Sequence, residues 1–287
     1  MRVIVTGGSG KLGRATINEL LEHGHEVRNY DLVPARDSRA PFTRVDLSDF
    51  GQAYEALRGM DEGWPRTDAI VHLAAIPGPS LAPNATLFAN NLLATYHLFS
   101  AARHADIRNV VWASSETLLG IPFDTPPPYL PVDEDYPPQP QSDYALAKAL
   151  EEAMAREFCR WDPTRKLIGL RFSNIMEPGD YAAFPTFEAD PRQRRWNLWA
   201  YIDARDGAQA VRLALEYDAS GFEIFIIANA DTVMQRSSAE LVAEYLPGVP
   251  LRRALEEHET LLSIDKARRM LGYQPAHSWR EGIAPAD

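Results

Sequence analysis

The stretch that decides the fold is RVIVTGGSGKLG, which occupies residues 2–13. It opens with a short, β-branched and almost wholly apolar run, a pattern typical of a parallel strand buried on both faces. Three glycines, Gly7, Gly10 and Gly13, follow at equal spacing and lead into apolar residues at helical spacing. In such a turn the first glycine allows a tight bend, the second lets the backbone approach a pyrophosphate, and the third lets the helix pack closely on the strand. The stretch therefore predicts a strand–turn–helix unit that binds a dinucleotide.

Further strand-like runs alternate with helical periodicity along the rest of the chain. Strands are predicted at 27–32, 69–74, 110–114, 167–172 and 223–228, and helices at about 49–59, 84–105, 143–161 and 204–218. Strands separated by helices imply right-handed crossovers and a doubly wound parallel sheet, which is the α/β Rossmann fold. Residues 1–173 and about 204–230 are predicted to form the nucleotide-binding domain, and about 174–203 and 231–287 a small C-terminal substrate lobe.

Composition excludes several classes of function. The chain has 287 residues, of which 45% are hydrophobic and 24% charged, with a formal net charge of −11. An acidic protein of this kind is not expected to bind nucleic acid, because phosphate contacts need clustered Lys and Arg. No apolar run is long enough to span a membrane, and the one at the N-terminus is too short for a secretory signal. Cys159 is the only cysteine, so no intramolecular disulfide is possible, and we expect a cytoplasmic protein.

Two acidic positions bear on the choice of dinucleotide. Asp31 ends the second predicted strand, where a carboxylate accepts hydrogen bonds from the adenosine ribose and repels a 2′-phosphate. NAD is therefore favoured over NADP, although Arg28 and Arg36 leave room for NADP, and a solvated strand-end Asp is the alternative interpretation. Asp46 and Leu47 follow a third short apolar run and are predicted to contact the adenine; the alternative is that this Asp caps the next helix.

The candidate catalytic groups lie farther along the chain. Tyr144 and Lys148 are four residues apart on a predicted helix, so they share one face. A nearby ammonium stabilises a phenolate and is expected to lower the tyrosine pKa toward neutrality, which suits a general acid/base. Ser115 directly follows the strand predicted at 110–114, where its hydroxyl could hydrogen-bond the reacting oxygen. A Tyr-x-x-x-Lys pair is common by itself, so the interpretation depends on the accompanying motifs.

Taken together, these motifs resemble those of an extended short-chain dehydrogenase/reductase of the NAD-dependent epimerase/dehydratase family. The matching pieces are residues 6–13, Asp31, Asp46 with Leu47, residues 72–75, residues 91–95, Ser115 with Gly120, Tyr144 with Lys148, residues 171–174 and residues 263–273. They cover nearly the whole chain in family order, which is specific for the family but not for a substrate.

The resemblance implies a role for each matching residue. Ser115 would polarise the substrate, Tyr144 would transfer the proton during hydride exchange, and Lys148 would bind the nicotinamide ribose. Implied NAD contacts are Gly7, Gly10, Lys11, Leu12, Gly13, Asp31, Asp46, Leu47, Leu73, Ala74, Ala75, Asn91, Tyr144 and Lys148. Implied substrate contacts are Ser115, Glu116 and Asn174. Pairing of the helices near 84–105 and 143–161 would form a homodimer, and no metal is expected because no cluster of ligands surrounds His72.

The chain also departs from the family pattern. Nucleotide-sugar members carry a long insert after the strand that ends in Arg-x-x-Asn, whereas only about 20 residues here separate Pro178 from the strand-like run at 199–203. This brevity resembles uronate dehydrogenases and predicts a small substrate without a nucleotide. Those enzymes place an arginine around 180–184, where this chain has DYAAF, so a uronate would require Arg192, Arg194 or Arg195 to substitute.

Glu116 is a second departure. Sugar dehydratases have an Asp–Glu pair directly after the position of Ser115, but here Glu116 is followed by Thr117. Elimination therefore lacks one proton-transfer group, and Glu116 is expected either to bind a substrate hydroxyl or to have a surface or structural role. The leading hypothesis is an NAD-dependent oxidoreductase acting on a small polyhydroxylated, sugar-like substrate. The alternatives are an epimerase with tightly bound NAD, a dehydratase, and a nucleotide-sensing regulator, which the intact Tyr–Lys pair disfavours.

Overall fold

The computed structural model describes residues 1–59, 64 and 66–282, which form a central parallel sheet flanked by helices. The strands are β1 (Arg2–Thr6), β2 (Glu26–Asp31), β3 (Phe42–Arg44), β4 (Ala69–His72), β5 (Asn109–Ser115), β6 (Lys166–Phe172), β7 (Ile175–Met176), β8 (Ile202–Asp203) and β9 (Gly221–Ile227). The helices are α1 (Lys11–Glu22), α2 (Phe50–Arg58), α3 (Asn84–His104), α4 (Asp143–Trp161), α5 (Phe184–Phe187), α6 (Arg192–Arg195), α7 (Ala204–Glu216), α8 (Ser238–Tyr245) and α9 (Asp265–Leu271). Short 3-10 turns occur at Glu116–Leu119, Pro178–Ala183 and Trp279–Gly282.

The predicted doubly wound Rossmann fold is confirmed. Seven strands pair in the order β3-β2-β1-β4-β5-β6-β9, and every pairing is parallel. The strand order reverses between β1 and β4, and in such sheets ligands bind outside the carboxyl ends of the strands at this switch point. The glycine-rich turn after β1 and the loop after β4 therefore meet where a ligand is expected.

The predicted elements agree with the observed ones to within a few residues, with one instructive exception. The helix predicted at 143–161 is α4 at the same residues. The strand-like run at 199–203 is shorter than predicted, because only Ile202–Asp203 pairs as β8. Leu198 and Trp199 have φ values of 57° and 58°, in the left-handed region, which an extended strand cannot contain.

Two hydrophobic cores pack against the sheet. One contains Val5 and Phe172 from the sheet together with Tyr201, Val233 and Leu261 from the predicted substrate lobe. The two predicted units therefore share a continuous core, and their division into domains stays a prediction. In the part of the chain that the structure describes, no helix combines the length and apolar character needed to cross a membrane.

Close packing explains why the third glycine of the turn has no side chain. A Cβ added at Gly13 would lie 2.2 Å from the carbonyl oxygen of Gly7 and 2.5 Å from Cα of Gly8. Both are backbone atoms, which cannot move aside as a flexible side chain would. At Gly10 an added Cβ would meet only the Gly7 carbonyl oxygen, at 3.4 Å. The contact between β1 and α1 therefore requires glycine at position 13 but not, for packing, at position 10.

We expect Gly13→Ala to lower the free energy of unfolding by about 1–3 kcal/mol, because overpacking displaces α1 from the sheet. Gly10→Ala is the matched control and should change it by less than about 0.5 kcal/mol. Urea denaturation, followed by circular dichroism, measures the free energy of unfolding of both variants and of the wild type. Equal stability of the two variants would contradict the packing argument.

Candidate active site

The glycine-rich turn forms an open cradle at the start of α1. Gly10 is the N-cap residue of α1 and provides no side chain to cap the free N–H groups of the first turn. A helix N-terminus of this kind attracts phosphate groups. Gly7 has a φ of 70°, and an added Cβ would lie 2.5 Å from the amide nitrogen of Ala74. At Gly7 the turn thus packs directly on the loop after β4. At Gly10 the turn has open space, which fits a pyrophosphate.

Two predicted cofactor residues, Asp31 and Lys11, lie on either side of this turn. Asp31 accepts a hydrogen bond from the amide of Ser9 (3.0 Å), so the carboxylate at the end of β2 lies beside the glycines. Lys11, the first residue of α1, forms an ion pair with Asp180 (2.5 Å) in the segment after β7. Residues 180–184 were compared above with the arginine-bearing segment of uronate dehydrogenases. In this chain Asp180 of that segment contacts the start of α1.

The loop after β3 contains the predicted adenine contacts. Asp46 accepts hydrogen bonds from the amide (2.9 Å) and hydroxyl (2.7 Å) of Ser48, so its carboxylate organises its own loop. Asp49, and not Asp46, is the N-cap of α2. Leu47 is buried, and its carbonyl oxygen lies 2.9 Å from Nδ1 of His97. A contact of Asp46 and Leu47 with adenine stays a prediction.

Asn91 holds the loop that faces the glycine-rich turn. Its amide group donates to the carbonyl of Ile76 (3.0 Å), and its carbonyl oxygen accepts from the amide of the same residue (2.8 Å). This two-way contact fixes the loop after β4, which contains Leu73, Ala74 and Ala75. The predicted asparagine therefore supports the shape of the candidate cofactor groove from α3.

The structure brings Ser115, Tyr144 and Lys148 together at the carboxyl end of β5. Ser115 ends that strand, and the other two residues lie on one face at the start of α4, whose N-cap Ser142 accepts from the amide of Ala145 (3.1 Å). All three catalytic candidates are buried. The ammonium of Lys148 is 6.0 Å from the ring centre of Tyr144.

The pKa of Tyr144 differs from the sequence-based expectation. Burial raises this pKa above its ordinary value, whereas the Lys148 charge and a hydrogen bond with Ser115 lower it, and burial prevails. Lys148 is less effective than expected because its ammonium also donates to the carboxylate of Glu151 (3.0 Å) and to the carbonyl of Ala113 (2.8 Å). Sequence reasoning placed the lysine correctly but missed its buried counter-ion.

A second buried ion pair attaches α4 to the sheet. Glu152 accepts two hydrogen bonds from the guanidinium of Arg171 on β6 (2.8 and 2.9 Å) and one from the hydroxyl of Ser114 on β5 (2.7 Å). Both charged side chains are almost completely buried. Sequence reasoning missed the role of Glu152, although its position four residues after Lys148, on the same face of the helix, was a usable signal.

The predicted substrate residues Glu116 and Asn174 both contact the segment around α6. Asn197 donates to the Glu116 carboxylate (3.2 Å), and Arg194 donates to the side-chain oxygen of Asn174 (2.9 Å). Burial raises the pKa of Glu116 to about 7, while the hydrogen bond from Asn197 and the charge of Arg194 oppose the shift. Since Glu116 is buried, the surface role considered for it is excluded.

Of the three arginines at 192, 194 and 195, Arg194 is the one that reaches the candidate substrate residues. It is buried, lies over the rings of Phe187 and Trp196 at 5.4 and 5.3 Å, and donates to the carbonyl of Ala200 (2.8 Å). Arg195 is directed instead toward the carbonyl of Tyr245. Across the described residues, no group of three His, Cys, Asp or Glu side chains has the arrangement of a metal site.

Sequence comparisons identify a family and several relatives of this chain. The family model described as the NAD dependent epimerase/dehydratase family matches residues 3–228. The chain is 30% identical to UDP-glucose 4-epimerase of Lactobacillus helveticus, over 96% of this chain and 93% of that enzyme. It is also 30% identical to UDP-glucose 4-epimerase 2 of Arabidopsis thaliana, over 70% of this chain but only 58% of that enzyme.

Solved structures agree with this relationship. A crystal structure of a UDP-galactose 4-epimerase superposes with a TM-score of 0.70 at 26% identity, covering 98% of this chain and 95% of the other. A short-chain dehydrogenase/reductase superfamily protein from Agrobacterium tumefaciens, solved with bound NAD, gives a TM-score of 0.74 at 24% identity and covers 98% and 94%, which supports the fold. Since the family model covers most of the chain and a relative aligns over nearly all of it, this chain belongs to the NAD dependent epimerase/dehydratase family of enzymes.

Proposed function

We propose that this protein is an NAD-dependent oxidoreductase that exchanges hydride with a small polyhydroxylated, sugar-like substrate. The observation that carries the proposal is the placement of three buried residues at the carboxyl end of β5: Ser115, which ends that strand, Tyr144, and Lys148, whose ammonium is 6.0 Å from the Tyr144 ring centre. A buried phenol between a hydroxyl and an ammonium is suited to proton transfer at a secondary alcohol or ketone.

The chain's own residues would bind the cofactor and handle the proton. The cradle at Gly10 holds the pyrophosphate, and Asp31 binds the adenosine ribose and favours NAD over NADP. When bound, NAD would accept hydride from the substrate carbon. Ser115 hydrogen-bonds the substrate oxygen, and Tyr144 accepts the hydroxyl proton once its own proton is lost, a loss that burial opposes and the Lys148 charge favours. Lys148 uses two of its three N–H donors within the protein, so it can bind one more acceptor, such as a ribose hydroxyl.

The short segment between β7 and β8 supports a compact substrate. It consists of a 3-10 turn and the one-turn helices α5 and α6. Its buried Arg194 and Asn197 contact Asn174 and Glu116 beside the catalytic candidates. These groups supply hydrogen-bond donors and acceptors suited to a sugar-sized molecule, and the segment folds as helical turns rather than as a hairpin.

We expect the purified protein to reduce NAD with at least one member of a panel of sugars, sugar acids and hydroxy-ketones, followed by NADH absorbance. Tyr144→Phe should lower kcat by about 10²–10⁴-fold because the proton acceptor is lost, while NAD binding measured by fluorescence stays close to that of the wild type. The control is Tyr54→Phe on α2, whose hydroxyl is bonded to Arg58; it should retain full activity. Full activity of Tyr144→Phe would contradict the proposal.

An epimerase that keeps its NAD and uses it transiently is the second candidate. The observation in its favour is the 30% identity with the UDP-glucose 4-epimerase of Lactobacillus helveticus over nearly the whole chain. In that case oxidation would be followed by reduction from the other face of the substrate, so the cofactor would have to remain bound.

Denaturing the purified protein separates these two candidates. The oxidoreductase proposal predicts well below one released NAD per chain, because its cofactor must exchange in each cycle. One NAD per chain, together with interconversion of UDP-glucose and UDP-galactose without added cofactor, would establish the epimerase instead. Chromatography of the released nucleotides and of the sugar products gives both measurements.

We also propose that the protein forms a homodimer through α3 and α4. These helices pack against each other and expose Leu93 and Tyr96 on α3 and Leu146 and Leu150 on α4, each 39–45% exposed. Apolar side chains at spacings of three and four residues on adjacent helices form a continuous strip. Such a strip is suited to pairing with its copy about a two-fold axis.

Light scattering should give the wild type twice the mass of one chain. Leu150→Asp should shift the protein to the mass of a single chain, because a carboxylate would be buried at the centre of the strip. Leu251→Asp, at a residue 41% exposed away from these helices, serves as the control and should remain dimeric. A wild type that is monomeric at all concentrations contradicts the proposed dimer.

A further inference from the structure

Lys148 has a buried carboxylate partner that the proposed chemistry does not itself require. Its ammonium lies 3.0 Å from an oxygen of Glu151, with 4% and 0% of the two side chains exposed. The carbonyl of Ala113 on β5 accepts a second hydrogen bond at 2.8 Å. The ion pair is therefore shielded from solvent, where charge interactions are much stronger than at the surface.

We propose that Glu151 is a positioning residue for the active site, because its buried carboxylate orients the Lys148 ammonium and offsets the positive charge that Tyr144 experiences. This inference rests on the proposed roles of Tyr144 and Lys148 in hydride exchange. It assigns no direct contact with substrate to Glu151.

Orientation follows from the hydrogen bonds. A lysine ammonium is a point charge on a flexible four-carbon stem. Glu151 on α4 and Ala113 on β5 hold it from two different elements, which determines the direction of its third N–H. A ribose hydroxyl and the Tyr144 oxygen both need the ammonium in a defined place. Loss of the contact with Glu151 or with Ala113 should therefore lower kcat more than it weakens substrate binding.

The charge effect follows from the groups packed around the pair. On α4, Glu152 is engaged by Arg171 of β6. On β4, burial and the Lys148 charge lower the pKa of His72 to about 3, so this imidazole is neutral at physiological pH. Glu116, after β5, acts to raise the pKa of Tyr144. Among these groups, Glu151 is the carboxylate that contacts Lys148 directly.

Glu151 shifts the pKa values of Tyr144 and Lys148 in the same direction. Glu151 raises the pKa of Lys148 against the effect of burial, and it also raises the pKa of Tyr144. Both effects favour the protonated forms of Tyr144 and Lys148. Coupled groups lose their protons in steps that belong to the pair, so removing the carboxylate charge must move the first of these steps to lower pH.

The experiment compares Glu151→Gln, which keeps the shape of the side chain and removes its charge, with Glu157→Gln. Glu157 lies on the same helix but is exposed and paired with Arg160, so it is the matched control. The Tyr144 phenolate is titrated by near-ultraviolet absorbance, as the difference between each protein and the same protein carrying Tyr144→Phe. The acidic limb of the pH profile of kcat/KM is measured in parallel.

Glu151→Gln should shift the titration midpoint and the acidic limb down by about one pH unit or more, and Glu157→Gln should shift neither. A folded Glu151→Gln protein with an unchanged or higher midpoint overturns the inference. If Glu151→Gln does not fold, Glu151→Asp decides the question. This variant keeps the charge but places the carboxylate farther from the Lys148 ammonium. We expect kcat to fall about tenfold or more with KM unchanged. An unchanged kcat overturns the inference.

The two readouts separate this inference from the proposed function. The phenolate titration needs neither substrate nor cofactor, so a protein that turns over no substrate still tests the effect of Glu151 on Tyr144. If the enzyme is active but Glu151→Gln leaves the midpoint of the Tyr144 titration unchanged, the inference is refuted and the proposed function stands.

Discussion

Buried charge between α4 and the sheet is the constraint on which the candidate active site depends. Glu152 is paired with Arg171 of β6, and Lys148 is paired with Glu151 within α4 while donating to the carbonyl of Ala113 on β5. All four side chains are almost completely buried. Removing one partner of such a pair costs about 3–5 kcal/mol, because an uncompensated charge stays buried. The Glu152–Arg171 pair and the hydrogen bond from Lys148 to Ala113 therefore fix how the helix docks on the sheet. That docking brings Tyr144 beside Ser115.

The cofactor side of the site depends on close backbone packing rather than charge. Gly7 leaves no space for a Cβ beside Ala74, so the turn after β1 and the loop after β4 lie in direct contact. Asn91 on α3 fixes that loop through both hydrogen bonds to Ile76. Two loops from strands on either side of the switch point are thereby held against each other, while the turn stays open at Gly10.

Polar contacts join the segment around α6 to the ends of β5 and β6. Asn197 reaches Glu116 at the end of β5, and Arg194 reaches Asn174 after β6. Leu198 and Trp199, in the left-handed region, turn the chain sharply between these contacts and β8. Family membership alone supports either net oxidoreduction or epimerisation, since both begin with the same hydride and proton transfer.

Local sequence determined the strands and the helices and indicated the residues proposed for catalysis. Hydrophobic periodicity and capping act over a few residues, which is why α4 was predicted at its observed residues, and the glycine spacing and the Tyr144–Lys148 pair are likewise local patterns. Tertiary structure alone decided the partners and the electrostatics. Arg171 lies 19 residues from Glu152 in sequence and Arg194 lies 20 from Asn174, so no short pattern joins them. The direction of the Tyr144 pKa shift also required the fold, because burial is a property of packing. Burial raises this pKa by more than the Lys148 charge lowers it.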